Sequence, residues 1–243
     1  MPVTWEPLGN GYIALSEHHR FGTDAVLLSD FAMPKNGETV CDLCSGCGIL
    51  PLLWSLSAGV SAKVTALELQ PEATDLLRAS LARAGLNEQV QVVTGDLRDQ
   101  AVLPPQSFQK VTCNPPYFAV GSGAVSEIEA VRLARHEGVG CHLADVAEAA
   151  SRLLLWGGTF ALCHRPERLC DVVTELRKAG LEPKRIRFVH NKAEKAPWLL
   201  LCEAKKGGKP GISVLPPLVL YSADGAPTEE HRRIYQTIER ETQ

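Results

Sequence analysis

From Glu38 onward, short apolar runs alternate with helix-like stretches, and few folds accommodate that alternation. Glu38 to Leu43 is a β-type run, ending in Asp42 and a glycine-bearing turn, and Ile49 to Ser57 follows with apolar residues at helical spacing. Lys63 to Leu69 reads as a second strand and Val90 to Thr94 as a third. Between them, Pro71 to Ala84 is a helix opened by proline and closed by Gly85. Strands joined through crossover helices pair in parallel, so an α/β domain with a parallel sheet is predicted. The pattern continues with a fourth strand at Gln109 to Cys113 and a helix at Leu143 to Leu155, with Gly157-Gly158 beyond its end. A fifth strand at Thr159 to Cys163 and a helix at Pro166 to Ala179, stopped by Gly180, follow. Arg185 to His190 and Trp198 to Glu203 then have only a short link between them, so they must form an antiparallel hairpin. The sum is a mostly parallel, seven-stranded sheet ending in an antiparallel hairpin strand. The domain is expected over 38–206, with 1–37 as an extension capping the site and 207–243 as a tail packed on the domain.

With 243 residues, 45% of them hydrophobic, the chain has the size of one catalytic domain with short appendages. No apolar run reaches the length of a membrane span, and Met1 to Asn10 lacks the features of a signal peptide. A cytoplasmic protein is expected, with its eight cysteines reduced and mostly in apolar strands. A net charge of −3 gives no overall positive field to attract nucleic acid. Any such contact must be local, and the lysine- and arginine-rich stretch from Lys184 to Lys209, with Lys184, Arg185 and Arg187 foremost, is the candidate.

The chemistry begins at the turn after the first strand. In Asp42-Leu43-Cys44-Ser45-Gly46-Cys47-Gly48, glycines let the backbone pass close to a ligand at the carboxyl end of the strand, where open α/β sheets place their sites. The spacing departs from the dinucleotide pattern, because Ile49, Leu50 and Pro51 stand where a third glycine belongs. Glu68 closes the second strand, where an acid can accept ribose hydroxyls, and Leu69 follows it. Asp96 closes the third, placed to take an adenine amino group while Leu97 packs on the ring. Acids at three successive strand ends form one crevice suited to a nucleoside. Cys41, Cys44 and Cys47 do not make an iron–sulfur run, because position 51 is proline where the fourth cysteine would stand, and no metal is expected.

Asn114-Pro115-Pro116-Tyr117 follows the fourth strand. An exocyclic amine or an amide nitrogen is a poor nucleophile because its lone pair is delocalised. Two acceptors set against its N–H groups favour a pyramidal nitrogen whose lone pair can attack. The Asn114 side-chain carbonyl and the Pro115 backbone carbonyl can be that pair. Pro116 stiffens the turn and Tyr117 offers a face for stacking a flat substrate.

The loop from Asp42 to Gly48 resembles the cofactor loop of class I S-adenosylmethionine methyltransferases, which have a Rossmann-like fold, and Asn114 to Tyr117 resembles the motif of their amino-methylating members. Phe21 to Leu28, Asp42 to Leu53, Cys113 to Phe118, Ala134 to Glu137, and the tail from Leu220-Tyr221 through Thr228-Glu229 to Ile234-Tyr235 are similar to the bacterial valine-tRNA adenine-N6 methyltransferases. That resemblance implies S-adenosylmethionine as cofactor, tRNA as partner, and N6 of the adenine 3′ of the anticodon as target. It places Thr23 and Asp24 near the methionine end of the cofactor, Glu68 at its ribose and Asp96 with Leu97 at its adenine, with Asp42, Ser45, Gly46, Gly48, Leu69 and Asn114 also around it. Phe118, Arg135 and His136 would line the substrate mouth beside Pro116. Two other readings share these residues: methylation of a glutamine in a release factor through the same clamp, and a silent RNA-binding scaffold.

Overall fold

A computed structural model describes residues 2–56, 60–115 and 141–236. Two antiparallel strands, β1 (Thr4–Leu8) and β2 (Gly11–Leu15), open the chain, followed by helix α1 (Thr23–Phe31). The alternating region gives β3 (Thr39–Leu43), α2 (Ile49–Leu56), β4 (Lys63–Glu68), α3 (Pro71–Ala84), β5 (Val90–Thr94) and β6 (Phe108–Cys113). Then come α4 (Leu143–Leu153), β7 (Leu154–His164), α5 (Leu169–Lys178), β8 (Leu181–His190) and β9 (Leu199–Lys206). The tail adds β10 (Ser213–Val214), β11 (Leu218–Val219) and α6 (Glu229–Gln236).

The strands lie in the order β5-β4-β3-β6-β7-β9-β8, parallel except for β9, which runs against both its neighbours. This is the predicted seven-stranded sheet with its antiparallel hairpin. Two further short strands, β10 and β11, pair in parallel with the outer edge of β8 and bring the sheet to nine among the described residues. They had no signal in the sequence, because two residues cannot display a period.

Strand order reverses at β3, which has β4 on one side and β6 on the other. Ligands of open α/β sheets sit at such a point, outside the carboxyl ends of the strands. Both faces of the sheet are covered. On β7, Ala161 and Cys163 join the apolar cluster with α1, α2 and α3, whereas Phe160 and Leu162 join the one with α4 and α5. That alternation follows from the two-residue period of a strand. The first cluster is tied across by the buried Trp54, whose indole N–H donates to the carbonyl of Ser29 at 3.0 Å and fastens α2 to α1.

Gly157-Gly158, read as the stop after a helix, lies inside β7 instead. Gly157 has φ +81°, and a Cβ on Gly158 would stand 2.8 Å from the carbonyl oxygen of Gln109. The β6–β7 register jumps there, Phe108 pairing with Leu154 and Lys110 with Thr159. Glycine serves a strand irregularity as readily as a helix end, and the sequence does not separate the two. The helix predicted from Pro166 begins as a 3₁₀ turn, Pro166–Arg168, and becomes α5 at Leu169.

The hairpin β1–β2 packs against α3, where the Ala14 amide donates to the buried Ser80 hydroxyl at 2.8 Å and the Arg83 guanidinium lies over the rings of Trp5 and Tyr12. A second close approach joins α2 to α3 at Gly48, whose φ is +82° and whose Cβ would stand 2.2 Å from a methyl of Leu77. Gly48→Ala combines a strained backbone with a clash in the core, so unfolding in denaturant should show a loss of about 2–4 kcal/mol.

Candidate active site

At the carboxyl ends of β3, β4, β5 and β6 lies a cavity of about 520 Å³, within the range of small-molecule sites. Asp42, Glu68, Asp96, Asn114 and Pro115 all line it, so the crevice inferred from successive strand ends is a single space. Its outer wall comes from the segment before β3, through His18, His19, Phe21, Gly22 and Asp24.

The loop after β3 is held by Asp42. This carboxylate is buried. One oxygen accepts from the Ser45 hydroxyl at 2.8 Å and the other from the Thr112 hydroxyl on β6 at 2.6 Å. Burial raises its pKa to about 7 against the two hydrogen bonds, which pull it down. Above the loop, Gly46 has φ +57° and open space where a side chain would stand. Cys44 also has positive φ, at 53°. The absence of side-chain bulk at Gly46 gives a ligand access to the backbone. Gly48 does not line the cavity: its lack of a side chain admits Leu77.

Glu68 is buried at the end of β4. It accepts from the Gly46 amide and the Gln70 amide, both at 2.9 Å, which locks the glycine loop to the neighbouring strand end. Burial pushes its pKa upward. Beside it Leu69 is 39% exposed, an apolar side chain left open at the cavity, and Leu97 faces the same space from beyond β5. The pair provides two apolar walls for a flat ring. Asp96 is paired with Arg98, whose side-chain hydrogen bonds hold its carboxyl below the usual carboxylate range.

Asn114 follows β6 directly. Its Nδ2 donates to Asp24 at 3.1 Å and its Oδ1 accepts from the Cys163 thiol at 3.2 Å. Neither contact was foreseen: Cys163 read only as a core cysteine, and its place at the end of the fifth strand was the available signal. Thr112 was missed too, because its role depends on pairing between β3 and β6. His19 is buried and bonded to Ser16 and Gln70, a packing histidine that also walls the cavity. Thr23 faces a smaller hollow that it lines with Asp24, Trp198 and, from the tail, Tyr221 and Tyr235. Pro116, Tyr117, Phe118, Arg135 and His136 lie outside the described residues.

In the basic stretch expected to meet phosphates, the three foremost cations have partners within the chain. Lys184 donates to the backbone carbonyls of Lys209 and Gly211. Arg185 pairs with Glu203, bonds the Phe31 carbonyl and stacks on the Phe31 ring. Arg187 holds both oxygens of Glu230 at 2.7 and 2.8 Å and the Pro216 carbonyl at 2.9 Å. Lys184 and Arg187 thus fasten the tail to the sheet, whereas Arg185 ties β8 to β9 and α1; of the carboxylate partners, Glu203 lies within the stretch and Glu230 far beyond it. Cys41, Cys44 and Cys47 are likewise divided, Cys41 and Cys44 packing on one side of the sheet and Cys47 on the other. Among the described residues no three His, Cys, Asp or Glu side chains gather as metal ligands, and no helix is long and apolar enough to cross a membrane.

A model of the methyltransferase small domain matches residues 17–135. Among curated proteins the chain is similar to enzymes named tRNA1(Val) (adenine(37)-N6)-methyltransferase. One from Shewanella amazonensis is 33% identical over 48% of each chain; one from Haemophilus influenzae is 27% identical over 86% of this chain and 87% of that one. A third, from Aeromonas hydrophila, is 31% identical over 59% of this chain and 58% of its own. The match thus spans about half the length of the Shewanella and Aeromonas relatives. A predicted O-methyltransferase of Agrobacterium tumefaciens superposes with TM-score 0.70 at 21% identity, over 91% of this chain and all of that one. TrmN from Thermus thermophilus superposes with TM-score 0.51 at 21% identity, over 75% of this chain and 48% of its own. The fold is that of the class I methyltransferases.

Because the Asp42 pKa is raised on folding, from 3.8 to about 7, the folded protein binds the extra proton. Stability from this group is therefore full at low pH and declines as pH rises from about 4 to 7, by an amount on the order of a few kcal/mol. Asp42→Asn should flatten that decline in denaturant titrations between about pH 4 and 7; an unchanged slope would refute the assignment. Arg187→Ala should lower the melting temperature, because it removes the two-armed pair with Glu230 and leaves that carboxylate only the longer Arg233 contact at 3.9 Å.

Proposed function

We propose, from the premise that this chain is a class I methyltransferase homologous to the tRNA1(Val) (adenine(37)-N6)-methyltransferases, that it methylates the N6 amine of an adenine in tRNA. The target on this reading is the adenine 3′ of the anticodon of a valine tRNA, and the protein works in the cytoplasm where tRNA is found.

The cleft suits S-adenosylmethionine. Leu69 and Leu97 would hold its nucleoside ring within reach of Asp96, Glu68 would face its ribose, and the open backbone at Gly46, with Asp42 and Ser45, would take the remainder. The cofactor supplies a methyl group on a sulfonium, reactive enough that no strong base need deprotonate the amine beforehand. Asn114 Oδ1 and the Pro115 carbonyl accept the two N–H groups of the substrate amine. Those bonds orient the nitrogen lone pair along the line of transfer, and in-line placement then dominates the rate. The proton released from nitrogen after transfer passes to solvent.

The observation that carries this reading is the position of Asn114. It sits at the strand end next to Asp42's loop, lines the cofactor cavity, and has its amide held from both sides. Asn114→Ala should leave cofactor binding within about threefold and lower kcat by about 10²-fold or more, since it removes an acceptor used at the reacting amine. The direct test is incubation with labelled S-adenosylmethionine and unmodified tRNA and, separately, with a release factor, followed by nucleoside mass spectrometry of the RNA and label counting in the protein. N6-methyladenosine beside the anticodon supports the reading; label appearing only in a release factor would move the substrate to protein glutamine.

A further inference from the structure

An asparagine amide presents an acceptor on one side and a donor on the other, and only Oδ1 of Asn114 can accept from a substrate amine. The amide therefore has one productive orientation and one, related by a half turn, that offers N–H groups to N–H groups. An ionised carboxylate accepts and cannot donate, so Asp24, 3.1 Å from Nδ2, selects the productive one. The Cys163 thiol, donating to Oδ1 at 3.2 Å, favours the same choice from the opposite side. Asp24 stands in the first turn of α1, 90 residues from Asn114 in sequence.

The place of the carboxylate is in turn reserved by the chain before it. A Cβ built on Gly22 would lie 2.4 Å from Asp24 Oδ1, so that oxygen occupies the volume a side chain would fill. Gly22 has φ −113° and ψ 174°, extended backbone open to any residue. Its lack of a side chain thus answers to the carboxylate and not to backbone geometry.

We propose that Asp24 is a positioning residue for the methyl acceptor, fixing the orientation of the Asn114 amide, and that Gly22 is the notch that lets it do so. This rests on the amine-methylating reading above. It differs from the part the family resemblance gives Asp24, beside the methionine end of the cofactor.

Charge exchange across the contact tests it with purified full-length protein and tRNA. Asn114→Asp sets two carboxylates against each other and should lose about 10²-fold in kcat. Adding Asp24→Asn restores a donor facing an acceptor, with its polarity reversed, and leaves the second oxygen of the introduced carboxylate free to accept from the substrate amine. The double variant should regain at least about tenfold over Asn114→Asp alone. Gly22→Ala, whose methyl displaces the carboxylate, should lower kcat about tenfold while the KM for tRNA and the Kd for S-adenosylhomocysteine stay within about threefold. A double variant no better than Asn114→Asp would overturn the proposal. So would a Gly22→Ala or Asp24→Ala variant whose main loss is cofactor affinity. Absence of methyl transfer by the unaltered protein would count against the proposed function alone. The amide orientation is read separately, from solvent exchange of the Asn114 Nδ2 protons by NMR. Gly22→Ala and Asp24→Ala should accelerate that exchange, and unchanged exchange would overturn the proposal.

Discussion

The carboxylate of Asp42 is buried, and two hydroxyls from different parts of the chain supply its hydrogen bonds. Ser45 belongs to the loop that Asp42 introduces, and Thr112 belongs to the strand that leads into Asn114. A single buried carboxyl thereby sets the shape of the glycine loop and its distance from the turn that follows β6. Glu68 repeats the arrangement one strand over, using backbone amides in place of hydroxyls. Burial works against both groups and drives their pKa values upward. The cost is local, and what it secures is a cleft whose acceptors are held in place by the protein's own donors.

Legibility in the sequence followed how local the determining interactions are. Helix α3 was readable to its ends, because Pro71 fixes its start and Gly85, at φ +70°, its stop. The strands that carry Asp42, Glu68 and Asn114 were readable from apolar runs and punctuation, and so was the crevice they form. What escaped depends on partners far apart in the chain. The anchoring of Asn114 by Asp24 and Cys163 joins three segments. The ion pair of Arg187 with Glu230 joins residues 43 apart, and a side chain that reads as part of a cationic surface becomes a fastening once that partner is in place. Gly157-Gly158 failed for a different reason: one residue type answers two unrelated backbone needs.

The surroundings of the site also draw on the chain outside the alternating region. The N-terminal hairpin packs on α3 and leads into the wall formed by His18 to Asp24, and the tail, through Leu220, Tyr221, His231 and Tyr235, lines the smaller hollow that shares Asp24 and Trp198 with the cavity. The two appendages meet directly. Asp30 of α1 takes a two-armed ion pair from Arg233 of α6, at 2.7 and 3.0 Å.

The outer edge of β8 would otherwise be a row of unpaired backbone groups, a template on which another chain could lay a strand. The tail meets that edge with two strands of two residues each, and between them stand Leu215, Pro216 and Pro217. The two prolines have no amide hydrogen to offer a further strand. The outermost layer therefore satisfies part of the β8 edge without renewing an equally good one beyond it, and growth of the sheet by self-association is arrested at its own margin.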